Sequence, residues 1–261
     1  MSSKRDRELA RAKWERQQAR RTARAQRDSV IRRSVFAGLV VVVLVGLIVN
    51  QQAKTKDSAT PTSTQTALSL TPGPNDPKCS QVNDLQTSAA QFAKPLSDGT
   101  PGKNLTLNTN CGAINIELDV KAPMTSTIIG NLAKAGYFDK TACHRLTTSG
   151  IYVLQCGDPT GTGTGSPGFK FADENLPQTT DGAPYTYPRG TVAMANSGPN
   201  TNGSQFFLVY GDSPLPPNYS VWGKITSGLE LVDKVAATGV IDGGSDGKPK
   251  TNIVVLKADV S

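Results

Sequence analysis

From Val35 to Val49 the chain reads VFAGLVVVVLVGLIV, fifteen residues without a charge or a strongly polar group. No other feature so restricts what the rest can fold into, because such a segment belongs in lipid or in a deep core. A membrane-spanning helix needs about 20 residues. Ser34, Asn50, Gln51 and Gln52 extend the run into the headgroup region, and Arg32 and Arg33 can reach outward along their aliphatic stems. A buried core helix fits poorly, since this one is apolar all round. A cleaved signal peptide is the stronger competitor. Against it, more than thirty residues precede the run and no A-x-A site follows. The reading is an uncleaved signal-anchor over residues 34–52. The basic side stays in the cytoplasm, and the chain after Asn50 lies outside as a single-pass membrane protein.

The formal charge of +7 would suggest a nucleic-acid binder, but its distribution excludes that. Residues 1–33 hold 12 of the 28 basic and 4 of the 21 acidic residues, a net of +8. The remaining 16 basic and 17 acidic residues leave the rest at −1. A near-neutral domain lacks the electrostatic footprint that phosphate binding needs. The basic tail 1–33 reads as a helix, either lying on anionic lipid or serving as a solvated topology signal. Residues 53–77, rich in Thr, Ser and Pro, read as a linker. Residues 78–104 are an extension whose sequence does not decide between a short helix and irregular chain.

From Leu105 the texture changes. LTLNTNCGAINIELD alternates apolar and polar residues about a turn at Asn110-Cys111-Gly112, the pattern of a hairpin. Ala122–Ala135 reads as a helix, with Pro123 in its first turn and Gly136 as its stop. Short strands follow at Ala142–Leu146, Tyr152–Cys156, Thr191–Ala195, Phe206–Tyr210, Val221–Ile225 and Ile253–Ala258, with a second helix at Leu229–Ala236. This order predicts a mostly β domain over 105–261: a closed antiparallel eight-stranded barrel capped by two helices. The four cysteines, Cys79, Cys111, Cys143 and Cys156, all follow the apolar run. An even count in an oxidising compartment is compatible with two disulfides and three pairings.

Chemistry-bearing residues are sparse. His144 is the only histidine, Cys143 beside it points to the opposite strand face, and no G-x-S-x-G elbow occurs, so hydrolase chemistry has little support. One histidine with scattered carboxylates makes no metal site. Gly161-Thr-Gly-Thr-Gly165 lacks the G-x-G-x-x-G spacing and a strand–helix setting, so it reads as an ordered loop.

What remains is a set of blocks: CHRL at 143–146, YVLQCGDPTGTGTG at 152–165, FADEN at 171–175, MANSGPNTNGSQFF at 194–207 and VWGKI at 221–225. In this order and spacing they resemble the cyclophilin family of peptidyl-prolyl cis-trans isomerases over about 105–260, and GPNTNGSQFF is highly specific. The resemblance implies a groove for an extended peptide and no cofactor. It implies catalytic roles for Arg145 and Gln155: a guanidinium that stabilises the twisted prolyl amide, and an amide that positions it. It further implies a groove lined by His144, Tyr152, Val153, Met194, Ala195, Asn196, Gln205, Phe207, Leu215 and Tyr219, with Phe207 flooring the proline pocket. The partners would be proline-containing segments of exported proteins. The alternative is a proline-peptide-binding module or holdase with little catalysis.

The departures carry expectations of their own. Nine residues separate Arg145 from Gln155 where the family's familiar eukaryotic pattern has seven; counting back from Gln155 places Tyr152 at that pattern's phenylalanine, counting forward from Arg145 reaches Gly150 or Ile151, and the count from Gln155 is preferred. The extra residues fit a turn at Thr147–Gly150. Leu215 stands near the position of the pocket tryptophan of cyclosporin-sensitive members, which implies weak cyclosporin binding. A Cys143–Cys156 bond across adjacent antiparallel strands would leave Cys79–Cys111; four free thiols is the other outcome.

Overall fold

A computed structural model describes residues 78–180 and 183–261. The basic tail, the apolar anchor and the linker lie outside the described residues. Among the described residues no helix is long and apolar enough to cross a membrane.

The hairpin forms where alternation required it. β1 (Asn104–Thr109) pairs antiparallel with β2 (Gly112–Leu118), Thr109 opposite Gly112. Leu105, Leu107, Ile114, Ile116 and Leu118 point to one buried face. Helix α1 (Pro123–Lys134) follows. Its first N–H groups have no capping side chain of their own. Glu174, from the FADEN block, accepts them instead: from Met124 N at 3.2 Å, Thr125 N at 2.8 Å and the Thr125 hydroxyl at 2.9 Å. A carboxylate at a helix N-terminus satisfies orphan donors and suits the helix dipole. Gly136 ends the helix at φ 69°, a conformation without the Cβ penalty.

The remaining elements are β3 (Thr141–Ala142), β4 (Arg145–Thr147), β5 (Tyr152–Cys156), β6 (Tyr185–Tyr187), β7 (Thr191–Met194), β8 (Phe206–Gly211), β9 (Ser213–Leu215), β10 (Val221–Ser227), α2 (Leu229–Ala237), β11 (Asp246–Gly247) and β12 (Val254–Val260). β6 and β9 form a separate pair. The other ten make one sheet, in the order β11-β4-β5-β8-β7-β10-β2-β1-β12-β3, and every pairing described for it is antiparallel.

This corrects the expected closed eight-stranded barrel. Among the described residues the sheet has ten strands and curls, and no ladder joins its ends. Yet β3 and β4 lie at or beside opposite ends of that order while only Cys143 and His144 separate them in sequence. The strand expected over 142–146 therefore straddles the seam. Its first half pairs with β12 and its second with β5. The Cys143–Cys156 disulfide lies at this crossing, and Cys79–Cys111 ties the segment before β1 to the first hairpin. That segment contains no helix or strand.

The curled sheet separates two apolar clusters. The larger, inside the curl, holds Leu105, Ile116, Leu154, Met194, Phe206, Leu208 and Trp222 beneath α1 and α2. The smaller lies on the outer face and holds Val153, Tyr187, Ala193, Phe207 and Val209. Strand alternation produces this division: Phe206 and Leu208 face in, Phe207 and Val209 face out.

Candidate active site

The outer cluster is the floor of the site, and the strand register organises it. Arg145 on β4 pairs with Gln155 on β5, Gln155 with Phe207 on β8, Phe207 with Ala193 on β7, and Ala193 with Val221 on β10. Directly opposed residues share a face, with neighbouring strands about 4.8 Å apart. One row across the sheet thus runs from a cation, through an amide, onto an aromatic floor.

Arg145 is held from two sides. Its Nε and Nη2 donate to the two carboxylate oxygens of Asp246, each at 2.8 Å, and its Nη1 donates to Gln155 Oε1 at 3.3 Å. The forked pair is the geometry that guanidinium and carboxylate favour. Of the five N–H donors, two are left for a ligand. Hydrogen bonding to Arg145 holds the Asp246 carboxyl below its ordinary range, and the same bond raises the guanidinium further. Both partners are about half exposed, so the pair acts by fixing geometry more than by adding stability.

The chain of bonds continues past Gln155. Its Nε2 donates to Gln205 Oε1 at 2.8 Å, and Gln205 Nε2 donates to the carbonyls of Gly163 and Gly165, both at 3.0 Å. The Asp246–Arg145–Gln155–Gln205 series leaves each amide one orientation. At its far end the Gly161–Gly165 loop is gathered around Asp158, which is wholly buried. Asp158 accepts from the backbone of Thr160, Gly163 and Gly165 at 2.7–3.0 Å, and from the Thr160 hydroxyl. Burial alone would raise the pKa of Asp158, but the Thr160 hydroxyl and these backbone N–H groups outweigh it and hold the carboxyl below its usual value.

The apolar side of the row is aromatic. Phe207 is 5% exposed and meets Tyr219 edge-on at 5.4 Å and Tyr187 at 6.3 Å. Tyr187 is wholly buried. Its hydroxyl donates toward the carbonyls of Pro216 and Tyr219, and accepts from Tyr219 N. Burial raises that hydroxyl to about 12. Tyr187 therefore fixes the 216–219 loop over the pocket. Leu215, Ala195, Ile151 and Val221 pack around its edge. Asn196 ties its own loop to the 216–219 loop: its Nδ2 donates to Asn218 O at 2.8 Å, while its Oδ1 accepts from Gly198 N.

Several expected groove residues sit elsewhere. Met194 is wholly buried in the inner cluster, because β7 alternation sends Ala193 outward and Met194 inward. Tyr152 stands 37% exposed at the rim and packs edge-on against Tyr210 at 5.9 Å. Alternation back from Gln155 and Val153, which both face outward, sends Ile151 to the outer cluster and Tyr152 to the opposite face. The preceding turn is tight, with Ser149 bridged to Ile151 about Gly150 at φ 75°. His144 lies behind the row with neither ring nitrogen bonded. Its burial lowers its pKa, opposed by the nearby Asp158 charge and reinforced by Arg145, so it stays neutral near pH 7. Sequence reasoning missed Asp246 and Tyr187, and it set Ile151 aside in favour of Tyr152. The aromatic pair Tyr185 and Tyr187 is the one mark of this strand in the sequence, and three residues are too few to show a period.

The chain is similar in sequence and in fold to known proteins. The family model described as cyclophilin type peptidyl-prolyl cis-trans isomerase/CLD matches residues 104–260. A Mycobacterium leprae protein named "Probable peptidyl-prolyl cis-trans isomerase B" is 47% identical over 187 residues, covering 64% of this chain and 63% of that protein. The Mycobacterium tuberculosis protein of the same name is 50% identical over 163 residues, covering 58% and 52%. The matches thus span about half to under two thirds of these curated relatives. A crystal structure of a Cryptosporidium parvum cyclophilin type isomerase is similar at TM-score 0.52 and 30% identity, covering 61% of this chain and 98% of that one. That protein was also crystallised in the presence of the dipeptide Ala-Pro, at the same TM-score and identity.

Proposed function

Because the chain belongs to the cyclophilin-type peptidyl-prolyl cis-trans isomerase family, we propose that its described domain accelerates rotation about X-Pro bonds in polypeptides. The observation that carries this reading is the row in which Arg145, held by Asp246 and Gln155, borders the apolar floor of Phe207. Rotation of a prolyl amide faces a barrier of about 18–20 kcal/mol from conjugation, and uncatalysed exchange takes tens to hundreds of seconds. No bond breaks. The site has only to bind the twisted amide better than either planar form. The proline ring fits over Phe207 between Tyr219 and Leu215. Twisting localises a lone pair on the prolyl nitrogen, and the two unbonded N–H groups of Arg145 are the donors placed to meet it. The partially filled hydrogen-bond series behind Arg145 supplies orientation in advance, so little reorganisation accompanies the twist.

Replacing Arg145 by Ala removes the donor and leaves the apolar floor. The expected outcome is a loss of about 10²–10³-fold in kcat with a peptide Kd changed by only a few-fold, read by exchange kinetics and calorimetry on the same peptide. Unaltered turnover would sink the assigned role. Support for catalysis over simple peptide capture comes from Arg145 itself, since an apolar groove needs no oriented cation to bind proline.

The anchor reading belongs to this proposal: residues 34–52 hold the domain outside the cell membrane, where exported proteins are its substrates. The length and flanking charge of that segment and the two disulfides of the outer domain support it. Leu215 at the pocket edge goes with weak cyclosporin binding, and a submicromolar Kd would contradict that.

A further inference from the structure

The side chain of His144 adjoins the row but makes no bond in it. The residue follows Cys143 of the seam disulfide and precedes Arg145, and its backbone N–H donates to Gln155 O at 3.0 Å. The glycine-rich loop lies on its ring: a Cβ built on Gly163, at φ 80°, would stand 3.6 Å from His144 Cδ2 and 3.7 Å from Nε2. Both ring nitrogens are covered, and among the described residues neither has a hydrogen-bond partner. A neutral imidazole carries one donor and one acceptor, and leaving both dry is destabilising. An apolar ring would fill the same space without that cost, so the polar one needs a reason.

Two charges act on the ring. The Asp158 carboxylate, from the loop after β5, attracts a proton to it, and Arg145, next in the chain, repels one. Asp246 on β11 is occupied by its fork with Arg145. Burial raises the hydroxyl of Tyr137, the other titratable group beside Asp158, to about 12, so it stays neutral in acid. The acceptors that the loop offers are already committed. Asp158 holds the N–H groups of Thr160, Gly163 and Gly165, and the carbonyls of Gly163 and Gly165 hold Gln205.

We propose that neutral His144 is a positioning residue of the Arg145–Gln155–Gln205 series, and that its protonation disarranges the series reversibly. An imidazolium has two donors and a full charge. It draws the Asp158 carboxylate away from the loop N–H groups and sets a second cation beside the arginine. Gly163 and Gly165 then loosen their hold on Gln205. Arg145 loses its fixed orientation on the Gln155 side, while the Asp246 fork holds. Burial is the largest influence on the ring and disfavours its charged form, so the change falls below the ordinary value of 6.5. The proposal rests on the isomerase reading for its kinetic readout, not for its geometry.

His144 is the only histidine in the chain, which makes the test selective. Carboxylates ordinarily titrate near about 4, so a midpoint between pH 6.5 and about 4.5 belongs to the imidazole. The full chain in detergent, carrying carbon-13 at histidine Cε1, gives one ring signal whose shift with pH reads the His144 midpoint. Exchange kinetics on a blocked Ala-Pro peptide without titratable groups give kcat at the same pH values. We expect kcat to fall at least threefold through that midpoint, with KM within twofold, and to recover when the pH is returned. The profile of His144→Gln should be flat over the same range. A wild-type profile that stays flat through the ring's midpoint, a fall that His144→Gln keeps, or a ring that does not titrate above about pH 4.5 would overturn the proposal. Should the variant fail to fold, agreement or disagreement of the two wild-type midpoints decides alone. If wild type accelerates no peptide at neutral pH, the isomerase reading fails, and a nitrogen-15 glutamine label reads the series directly. Side-chain amide signals of Gln155 and Gln205 that shift with the His144 midpoint then support the proposal, and signals that ignore it overturn it.

Discussion

Asp246 illustrates how much one side chain decides. It sits in the sequence GGSDGKPK, which reads as a surface turn. In the fold, β11 brings it against β4, where it takes two of the five donors of Arg145. Without it the guanidinium keeps only the longer bond to Gln155 and gains several rotamers. Misplacement of a reacting group by about 1 Å can cost up to 10²-fold. Asp246→Asn, which can hold one donor but not the charged fork, is therefore expected to lower kcat about tenfold with KM nearly unchanged, measured by exchange kinetics. A rise in kcat would mean instead that Asp246 quenches the arginine charge. Since Arg145 holds the Asp246 carboxyl below its ordinary value of 3.8, the pair stays intact across neutral and mildly acidic pH.

At the scale of elements, the loop 158–165 converts composition into architecture. GDPTGTGTG has the glycines of a flexible loop, but the buried Asp158 carboxylate gathers its N–H groups and aims two of its carbonyls at Gln205. Hydrogen bonds to a buried charge contribute about 1.5–3 kcal/mol. Asp158→Asn should cost about 2 kcal/mol in urea unfolding at pH 7. The sign of the pH dependence follows from the lowered carboxyl: its stabilisation is complete above the ordinary value of 3.8 and is lost as pH falls through the lower folded value. The gap between wild type and variant should therefore shrink in acid; a gap that widens would exclude the carboxylate cradle. The same scale shows what the sequence could convey. β1, β2, α1, β5, β8, β10 and α2 carry enough residues for a period to be read, and their bounds fall within about two residues of expectation. β6, β9 and β11 are two or three residues long, too short for any period. Arg145 and Gln155 belonged to adjacent strands recognisable as a hairpin. Which of Ile151 and Tyr152 faces the groove was legible in the period of β5: counting by twos from Gln155 through Val153 reaches Ile151, whereas the expectation placed the adjacent Tyr152 and Val153 on one face.

For the whole molecule, the decisive property is that one curled sheet has a packed inside and a working outside. The inner cluster supplies rigidity, and the outer row of Arg145, Gln155, Phe207 and Ala193 inherits its spacing from the strand ladders. The seam is crossed by the chain itself at Cys143–His144 and stapled there by the bond to Cys156, so the two ends of the sheet meet beside the arginine. The curl was not legible as an open seam, since that depends on pairing partners more than 100 residues apart. The central claim is that this surface turns proline amides rather than merely holding them. It is tested most directly by two-dimensional exchange NMR on an equilibrium mixture of cis and trans X-Pro peptide with a small fraction of the full chain. Catalysis predicts exchange cross-peaks linking both isomers at a rate proportional to added protein, absent with Arg145→Ala. Broadening or depletion of one isomer without exchange between them would contradict it.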